Sequence, residues 1–351
     1  MKAKIPAAVL GATGSVGQRF IQLLDQHPLF EVTALTGSDR SIGQKYKDAC
    51  HWILPEPMPE RVRDLVIVPT LPEHTMVPLV FSALPADTAR QAEPLFAQAG
   101  VMVCSNASAF RMEPDVPILL PEVNPEHTSI LNIQREKRGW KGGIVTNPNC
   151  TSTGMTVALK ALQEPFGLKK VFAVSLQALS GAGFPGVASL DILDNVIPNI
   201  NGEEAKVETE PRKMLGKYHD GQIEMDKFAI SAHTNRVAVS DGHIVCLSVG
   251  LENLVSVKEA AEAFSTYQAS EIARGLPSSP QPIILLRNEN DRPQPRLDRS
   301  TGHGMTTVVG RLRPDPMFDL KFVVLSHNTI RGAAGGSIYN AELLLAQGWI
   351  A

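Results

Sequence analysis

The sequence predicts an α/β protein in which a parallel-sheet domain is followed by a second, mixed α+β domain. Three observations support this fold class. Short apolar runs alternate with helical segments over the first 150 residues, which is typical of a parallel sheet with right-handed crossovers. A glycine-rich turn separates the first apolar run from the first helix. From about residue 171, strand-like runs follow one another with fewer helices between them.

The predicted strands of the first part are short and apolar, and they are interrupted by helices. These strands cover residues 4–10, 31–35, 65–68, 79–83, 100–104 and 143–146. Helices are predicted at residues 18–26, 86–99 and 151–162, the first with an apolar face of Phe20, Ile21, Leu23 and Leu24.

The second part is predicted to contain a largely antiparallel sheet. Its strands cover residues 171–176, 229–239, 243–249, 282–286, 306–312 and 320–325, and a closing helix covers 332–350. We therefore predict one domain over residues 1–150, completed by the C-terminal helix at 330–351, and a second domain over 151–329.

Composition excludes several classes of protein. Glycine and proline are scattered without a period, which excludes collagen-like repeats. The formal net charge is −3, so no basic field attracts nucleic acid or an anionic membrane. No apolar run approaches the roughly 18 residues of a membrane helix. The four cysteines form no CxxC pair and no metal-like spacing, so we expect no metal and a cytoplasmic location.

The glycine-rich turn at residues 11–17 predicts a Rossmann-type dinucleotide site. Gly11 permits a tight bend, Gly14 lets the backbone approach a pyrophosphate, and Gly17 lets the helix pack on the strand. The helix N-terminus then offers free N–H groups to the anion. The predicted contacts in this part of the chain are Gly11, Thr13, Gly14, Ser15, Val16, Gly17 and Ser82.

The loop after the second strand favours NADP over NAD. Ser38 and Arg40 offer a hydroxyl and a guanidinium, which suit a ribose 2′-phosphate. Asp39 keeps NAD open, because a carboxylate accepts hydrogen bonds from an unphosphorylated ribose.

Cys150 is the candidate nucleophile. It lies between a strand and the helix predicted at 151–162, where a helix N-terminus stabilises a thiolate and its N–H groups steady an oxyanion. The other three cysteines, Cys50, Cys104 and Cys246, are interpreted as small core residues.

His243 is the candidate general base, because it follows a Ser-Asp-Gly turn at the start of a strand. Arg236 lies seven residues earlier, and a hairpin there would bring the imidazole and the guanidinium to one pocket. Taken alone, a histidine in this position is structural more often than catalytic.

Six motifs in order resemble those of the aspartate-semialdehyde dehydrogenase family, in its archaeal and fungal branch. They are the glycine turn, Asn-Pro-Asn-Cys150-Thr, Gln177 in Ser-Leu-Gln-Ala-Leu-Ser-Gly, Glu203-Glu-Ala-Lys206, Arg236 with His243, and His-Asn328-Thr-Ile-Arg-Gly-Ala-Ala-Gly-Gly. The match runs from residue 6 to about 345.

The resemblance implies reduction of L-aspartyl 4-phosphate by NADPH to L-aspartate 4-semialdehyde, NADP⁺ and phosphate, in lysine, threonine and methionine biosynthesis. Cys150 would form a thioester, His243 would be the acid/base, and Gln177 would orient the acyl group. Arg236 would bind the substrate α-carboxylate and Glu203 its α-ammonium.

The resemblance also implies a phosphate site and an assembly. Lys206, Arg111 and Asn149 match the positions expected to hold phosphate, and Asn328 matches a cofactor contact. The first domain would bind the dinucleotide, and the second would carry catalysis and the contacts of a homodimer or homotetramer.

Three alternatives stay open at this point. A malonyl-CoA reductase-type enzyme shares the scaffold but uses coenzyme A in place of phosphate. N-acetyl-glutamyl-phosphate reductase shares the chemistry but fits the Glu203–Lys206 segment less well. A non-catalytic NADP-binding sensor would have no need of Cys150 or His243, and both are present.

Overall fold

The first six strands form a parallel sheet in the order β3-β2-β1-β4-β5-β6 in the computed structural model, which describes residues 3–350. Residues 1, 2 and 351, at the ends of the predicted domains, lie outside that description. The strands are β1 (Ile5–Leu10), β2 (Phe30–Thr36), β3 (Ile67–Val68), β4 (Leu79–Ser82), β5 (Met102–Ser105) and β6 (Gly143–Thr146). Strand order reverses between β1 and β4, where dinucleotides bind in Rossmann sheets, so the predicted fold of this part is confirmed.

Helices cover both faces of this sheet because their apolar residues recur at helical spacing. Phe20 of the first helix is fully buried, with its ring centroid 5.1 Å from that of Phe81 on β4. The longer helices are Ser15–Leu24, Ala86–Gln98 and Ile130–Arg138, with short helical segments at Tyr46–Ala49, Glu60–Arg63, Pro72–Thr75 and Pro125–Ser129.

The second six-stranded sheet has the order β10-β7-β11-β14-β13-β12. Its strands are β7 (Leu168–Gln177), β10 (Ala229–Arg236), β11 (His243–Leu251), β12 (Ile284–Arg287), β13 (Thr307–Pro314) and β14 (Leu320–Ser326). The central pairs are antiparallel, whereas the outer pairs β10–β7 and β13–β12 are parallel, so the sheet is mixed. A separate hairpin joins β8 (Lys217–His219) to β9 (Gln222–Glu224).

The hairpin predicted between Arg236 and His243 is wrong. Both β10 and β11 pair with β7, which lies between them. The C-terminal end of β10 and the N-terminal end of β11 nevertheless lie at the same edge of the sheet. This follows because β10 runs parallel to β7 and β11 runs antiparallel to it. Arg236 is level with Gln177, and Ile244, the residue after His243, is level with Leu176.

The remaining helices connect the two sheets. The helix Cys150–Phe166 shares a core with the second sheet, whereas the C-terminal helix Gly335–Ala346 packs Ile338 and Leu344 into the core of the first. These contacts support the domain division that we propose, residues 1–150 with 330–351 and residues 151–329. The other helical segments are Leu179–Ala182, Ser189–Ile192, Glu203–Met214, Val257–Thr266, Glu271–Arg274, Pro295–Asp298, Thr301–Gly304 and the π-helical Ile330–Ala334.

Within residues 3–350, no helix has both the length and the apolar character needed to cross a membrane.

Candidate active site

Cys150 lies at a helix N-terminus, as predicted, and the helix Cys150–Phe166 begins one residue before the predicted start at 151. Asn149 caps this helix, its side-chain Oδ1 accepting hydrogen bonds from the N–H groups of Thr151 (2.9 Å) and Ser152 (3.3 Å). Those two N–H groups are therefore already satisfied and do not point to a developing oxyanion. The N–H group of Cys150 itself has no hydrogen-bond partner within residues 3–350 and is the donor that remains.

His243 lies next to the thiol. Its Nε2 is 3.2 Å from Cys150 Sγ, and its Nδ1 accepts a hydrogen bond of 3.0 Å from the backbone N–H of Ala178. A nitrogen that accepts a hydrogen bond carries no proton, so the neutral imidazole holds its proton on Nε2. That proton faces the sulfur.

Burial governs the charge of this pair. It raises the pKa of the Cys150 thiol to about 12, with Glu203 adding to the rise and Arg111 and Arg236 opposing it. Burial also lowers the pKa of His243 to about 3, and Arg236 contributes to that fall. In the free protein the pair is therefore a thiol and a neutral imidazole. Burial is the largest of these influences on the thiol, and the stabilisation of a thiolate by the helix N-terminus stays a prediction.

The other cysteines differ in exposure. Cys50 and Cys104 are buried core residues, as predicted. Cys246 is exposed, which corrects the prediction, because alternate residues of β11 point away from the core.

Gln177 and Arg236 close the site on the side of the second sheet. Gln177 is buried at the end of β7, and Arg236 Nη1 donates a hydrogen bond of 2.7 Å to the carbonyl oxygen of Ala178. A Cβ atom placed on Gly181 would lie 2.8 Å from Arg236 Nη1 and 3.0 Å from His243 Cε1. The guanidinium and the imidazole therefore border one small space, which a glycine leaves open.

Glu203 begins the helix Glu203–Met214 and joins several predicted site residues. Its carboxylate accepts hydrogen bonds from Lys206 Nζ (2.7 Å), Asn149 Nδ2 (2.8 Å) and Gln177 Nε2 (3.4 Å). Burial alone would raise the pKa of Glu203, but these hydrogen bonds outweigh it and the pKa is lowered. Glu203 is therefore ionised at neutral pH.

Arg111 is buried beside the same helix with three of its nitrogens engaged. Nε donates to the carbonyl oxygen of Asn147 (2.9 Å), Nη2 to that of Asn106 (2.8 Å), and Nη1 to Glu210 Oε1 (2.9 Å). The second oxygen of Glu210 accepts a hydrogen bond of 2.6 Å from the backbone N–H of Asn149.

Glu210 was not predicted from the sequence, although a signal for it exists. Glu203, Lys206, Glu210 and Lys213 recur at the spacing that places residues on one face of a helix.

The glycine turn has the geometry of a dinucleotide site. Gly11 has φ +74°, and a Cβ atom on Gly17 would lie 2.3 Å from the Gly11 oxygen, so both positions require glycine. At Gly14 the nearest such contact is 3.5 Å, which leaves the backbone open to a ligand. The N–H groups of Thr13, Ser15 and Val16 have no hydrogen-bond partner in the described part of the chain.

The other predicted cofactor contacts lie around the same edge. Ser82 ends β4, level with Leu10 of β1, and its buried hydroxyl lacks a partner among residues 3–350. Arg40 is exposed in the loop after β2. Ser38 Oγ lies 3.5 Å from Ser41 Oγ in the same loop.

Asn328 is engaged within the protein. Its Oδ1 accepts from the Gly242 N–H and its Nδ2 donates to Ser180 Oγ, both at 2.8 Å. A cavity of about 290 Å³ lies beside Ser180 and extends to Ser15 and Arg19 at the start of the first helix. The cavity thus connects the glycine-turn helix with a segment of the second domain.

The fold and this site define a class of protein: a dehydrogenase with a nicotinamide-dinucleotide domain and a cysteine–histidine pair. A family model described as the semialdehyde dehydrogenase NAD binding domain matches residues 6–130, and the semialdehyde dehydrogenase dimerisation domain matches residues 159–331. An aspartate-semialdehyde dehydrogenase of Archaeoglobus fulgidus is 52% identical over 97% of both chains, and one of Cryptococcus neoformans is 46% identical over 99% of this chain and 98% of its own. The chain belongs to the aspartate-semialdehyde dehydrogenase family.

A solved structure supports the same assignment. The aspartate-semialdehyde dehydrogenase of Candida albicans, crystallised with NADP, is 43% identical in sequence and superposes with a TM-score of 0.91. The match covers 99% of this chain and 100% of that chain. The predicted family, α/β fold, enzyme class and nicotinamide cofactor are confirmed. The residue roles stay predictions.

Proposed function

We propose that the protein reduces L-aspartyl 4-phosphate to L-aspartate 4-semialdehyde and phosphate with NADPH, through a thioester on Cys150. One observation carries this proposal: Cys150 Sγ at a helix N-terminus lies 3.2 Å from His243 Nε2. A thiolate displaces phosphate from an acyl phosphate readily, and covalent capture fixes the acyl carbon for reduction.

The proton on His243 Nε2 has a defined part in this reaction. It donates a hydrogen bond to the sulfur while the thiol attacks the acyl carbon and its own proton passes to the departing phosphate. Once the acyl carbon is reduced, Nε2–H donates a hydrogen bond to the oxygen of the tetrahedral intermediate. The N–H group of Cys150 donates a hydrogen bond to the same oxygen. The carbon–sulfur bond then breaks to give the aldehyde and a thiolate, which regains a proton from solvent.

Two charged residues would hold the amino-acid end of the substrate. The Arg236 guanidinium binds the α-carboxylate, which it matches in shape and charge. Glu203 binds the α-ammonium, and its hydrogen bond with Gln177 is consistent with a glutamine that orients the acyl group beside it. Lys206, Asn149 and Arg111 hold the phosphate.

NADPH supplies the hydride, and the residues of the glycine turn fit it. Free N–H groups at Thr13, Ser15 and Val16 suit the pyrophosphate. Ser38 and Arg40 suit the 2′-phosphate. Ser82 offers an unpartnered hydroxyl, and Asn328 has one remaining Nδ2 hydrogen for the cofactor.

We also propose the setting of the enzyme. It acts in the cytoplasm, in lysine, threonine and methionine biosynthesis, as a homodimer or homotetramer. Its four cysteines are unpaired, which suits a reducing compartment.

The test is the reverse reaction with different acyl acceptors. NADPH formation from L-aspartate 4-semialdehyde and NADP⁺ is measured with phosphate, arsenate, coenzyme A or no addition. We expect phosphate and arsenate to support turnover, because arsenate resembles phosphate in size and charge. Turnover that requires coenzyme A and ignores phosphate would assign the protein to the CoA-dependent reductases instead.

A further inference from the structure

We propose that Glu210 is a positioning residue that orients Arg111 toward the phosphate and holds the residue before the nucleophile. This inference rests on the proposed function, and it assigns a part to a side chain that touches no reacting atom. Glu210 is buried, and each of its two oxygens has a different partner.

The first partner is Arg111. A guanidinium has five N–H groups, and Arg111 uses one on each nitrogen for Asn147, Asn106 and Glu210. One N–H group therefore remains on each terminal nitrogen. Two N–H groups on a fixed guanidinium suit a phosphate. The hydrogen bond to Glu210 fixes the orientation of the guanidinium and therefore the direction of these two N–H groups.

The second partner is the backbone N–H of Asn149, at 2.6 Å. Asn149 caps the Cys150 helix and is itself a proposed phosphate ligand. One carboxylate therefore links the arginine to the segment that carries the thiol. Moving either partner would change the distance between the phosphate site and the sulfur.

The loop that carries Arg111 is fixed by the same helix. Lys213, one turn after Glu210, donates hydrogen bonds of 2.7 Å to the carbonyl oxygens of Arg111, Glu113 and Val116. With the loop backbone held by Lys213, the orientation of the Arg111 side chain depends on Glu210.

The test substitutes Glu210→Gln, which keeps the shape but replaces one acceptor oxygen with an NH₂ group that cannot accept. We expect the phosphate KM of the reverse reaction to rise by about tenfold or more, the loss expected for a charge-assisted contact, with a much smaller change in the aldehyde KM. Glu208→Gln is the matched control, because Glu208 lies on the same helix and contacts the Ala232 N–H instead. The control should leave both values unchanged.

A binding measurement separates this inference from the proposed reaction. Inorganic phosphate should protect Cys150 of the wild-type protein from iodoacetamide, and Glu210→Gln should need about tenfold more phosphate for the same protection. A wild-type enzyme without phosphate-dependent turnover would contradict the proposed function, while this protection still reports on Glu210.

A double-mutant cycle checks that Glu210 acts through Arg111. Arg111→Lys alone should raise the phosphate KM, and adding Glu210→Gln to it should raise it by a smaller factor than Glu210→Gln does in the wild type. Additive effects of Arg111→Lys and Glu210→Gln on the phosphate KM would overturn the inference. So would equal rises of the phosphate KM and the aldehyde KM in Glu210→Gln, or unchanged protection of Cys150 by phosphate in that variant. If Glu210→Gln does not fold, Glu210→Asp carries the test: its carboxylate is withdrawn by one methylene, and an unchanged phosphate KM would contradict the proposal.

Discussion

The Cys150 thiol experiences opposing electrostatic influences. Burial and the carboxylates of Glu203 and Glu210 raise its pKa, while Arg111 and Arg236 lower it. A substrate ammonium bound to Glu203 would neutralise one of the three influences that raise the pKa, whereas a carboxylate on Arg236 and a phosphate on Arg111 would neutralise the two that lower it.

We expect Glu203→Gln to lower the pKa of Cys150. A carboxylate near a thiol disfavours the thiolate, so removing its charge shifts thiolate formation to lower pH. The measurement is the rate of Cys150 alkylation by iodoacetamide against pH, followed on the Cys150 peptide so that exposed Cys246 does not contribute. In the wild type the rate should still be rising above pH 9.

Glu204→Gln is the control for this pH profile. Glu204 is adjacent in the chain, but its carboxylate accepts a hydrogen bond from the Thr234 N–H instead of contacting Asn149. An equal shift in both variants, or a shift of the Glu203→Gln profile to higher pH, would show that Glu203 does not act on the thiol.

We expect Arg40→Ala to weaken NADP⁺ binding and to leave NAD⁺ binding nearly unchanged. Arg40 is exposed and has no ion-pair partner in the described residues, so its charge is available to a 2′-phosphate. Losing one charge-assisted contact costs about 1.5–3 kcal/mol, or roughly 10- to 150-fold in Kd. The measurement is the Kd of NADP⁺ and of NAD⁺ for the wild type and the variant. Equal weakening of both cofactors would mean that Arg40 is only structural.

The sequence located the reactive residues but not their electrostatics. Cys150 was placed correctly because a strand, a capping asparagine and a helix succeed one another in the chain. The pKa of the thiol was not predictable, since it depends on Glu203, Arg111 and Arg236, which come from distant segments. The same holds for the tautomer of His243, which is set by the backbone of Ala178.

At the scale of elements, the helix Glu203–Met214 organises the site. One face of it contacts the cap of the Cys150 helix through Glu203 and the Arg111 loop through Glu210 and Lys213. This helix therefore sets both the substrate end and the phosphate end of the pocket.

We expect Lys213→Met to loosen the loop at residues 106–116. Three carbonyl oxygens would lose their donor, and one unsatisfied buried group already costs about 1–3 kcal/mol. Urea unfolding should show the lower stability, and amide hydrogen exchange should rise in this loop. The control is Lys217→Met at an exposed position. Unchanged exchange in the loop would contradict the role of Lys213.

The order of strands was predictable only for the first sheet. There the glycine turn and the alternation of strands with helices specify a Rossmann-type sheet. In the second sheet, β7 pairs with β10 across more than fifty residues of chain, and no local pattern indicates that partner. The predicted hairpin failed for this reason, since adjacent strands in sequence need not pair.

At the scale of the whole molecule, the site exists because two sheets meet. Cys150 begins the helix that follows β6 of the first sheet, and His243 begins β11 of the second. Nearby, the buried Arg331 guanidinium pairs with Glu122, and Tyr267 of the second domain donates a hydrogen bond of 2.6 Å to the Glu122 carbonyl. The hydrogen bond from Tyr267 joins the two proposed domains.

The central claim is that Cys150 captures the acyl group, and a single-turnover experiment tests it most directly. The enzyme is mixed with L-aspartate 4-semialdehyde and NADP⁺ without phosphate, and NADPH formation and protein mass are followed. We predict a rapid burst of about one NADPH per active site and an acyl group on the Cys150 peptide, which phosphate then releases. Cys150→Ser should bind NADP⁺ but give neither burst nor adduct. A full burst from that variant, or an acyl group on another residue of the wild type, would contradict the account.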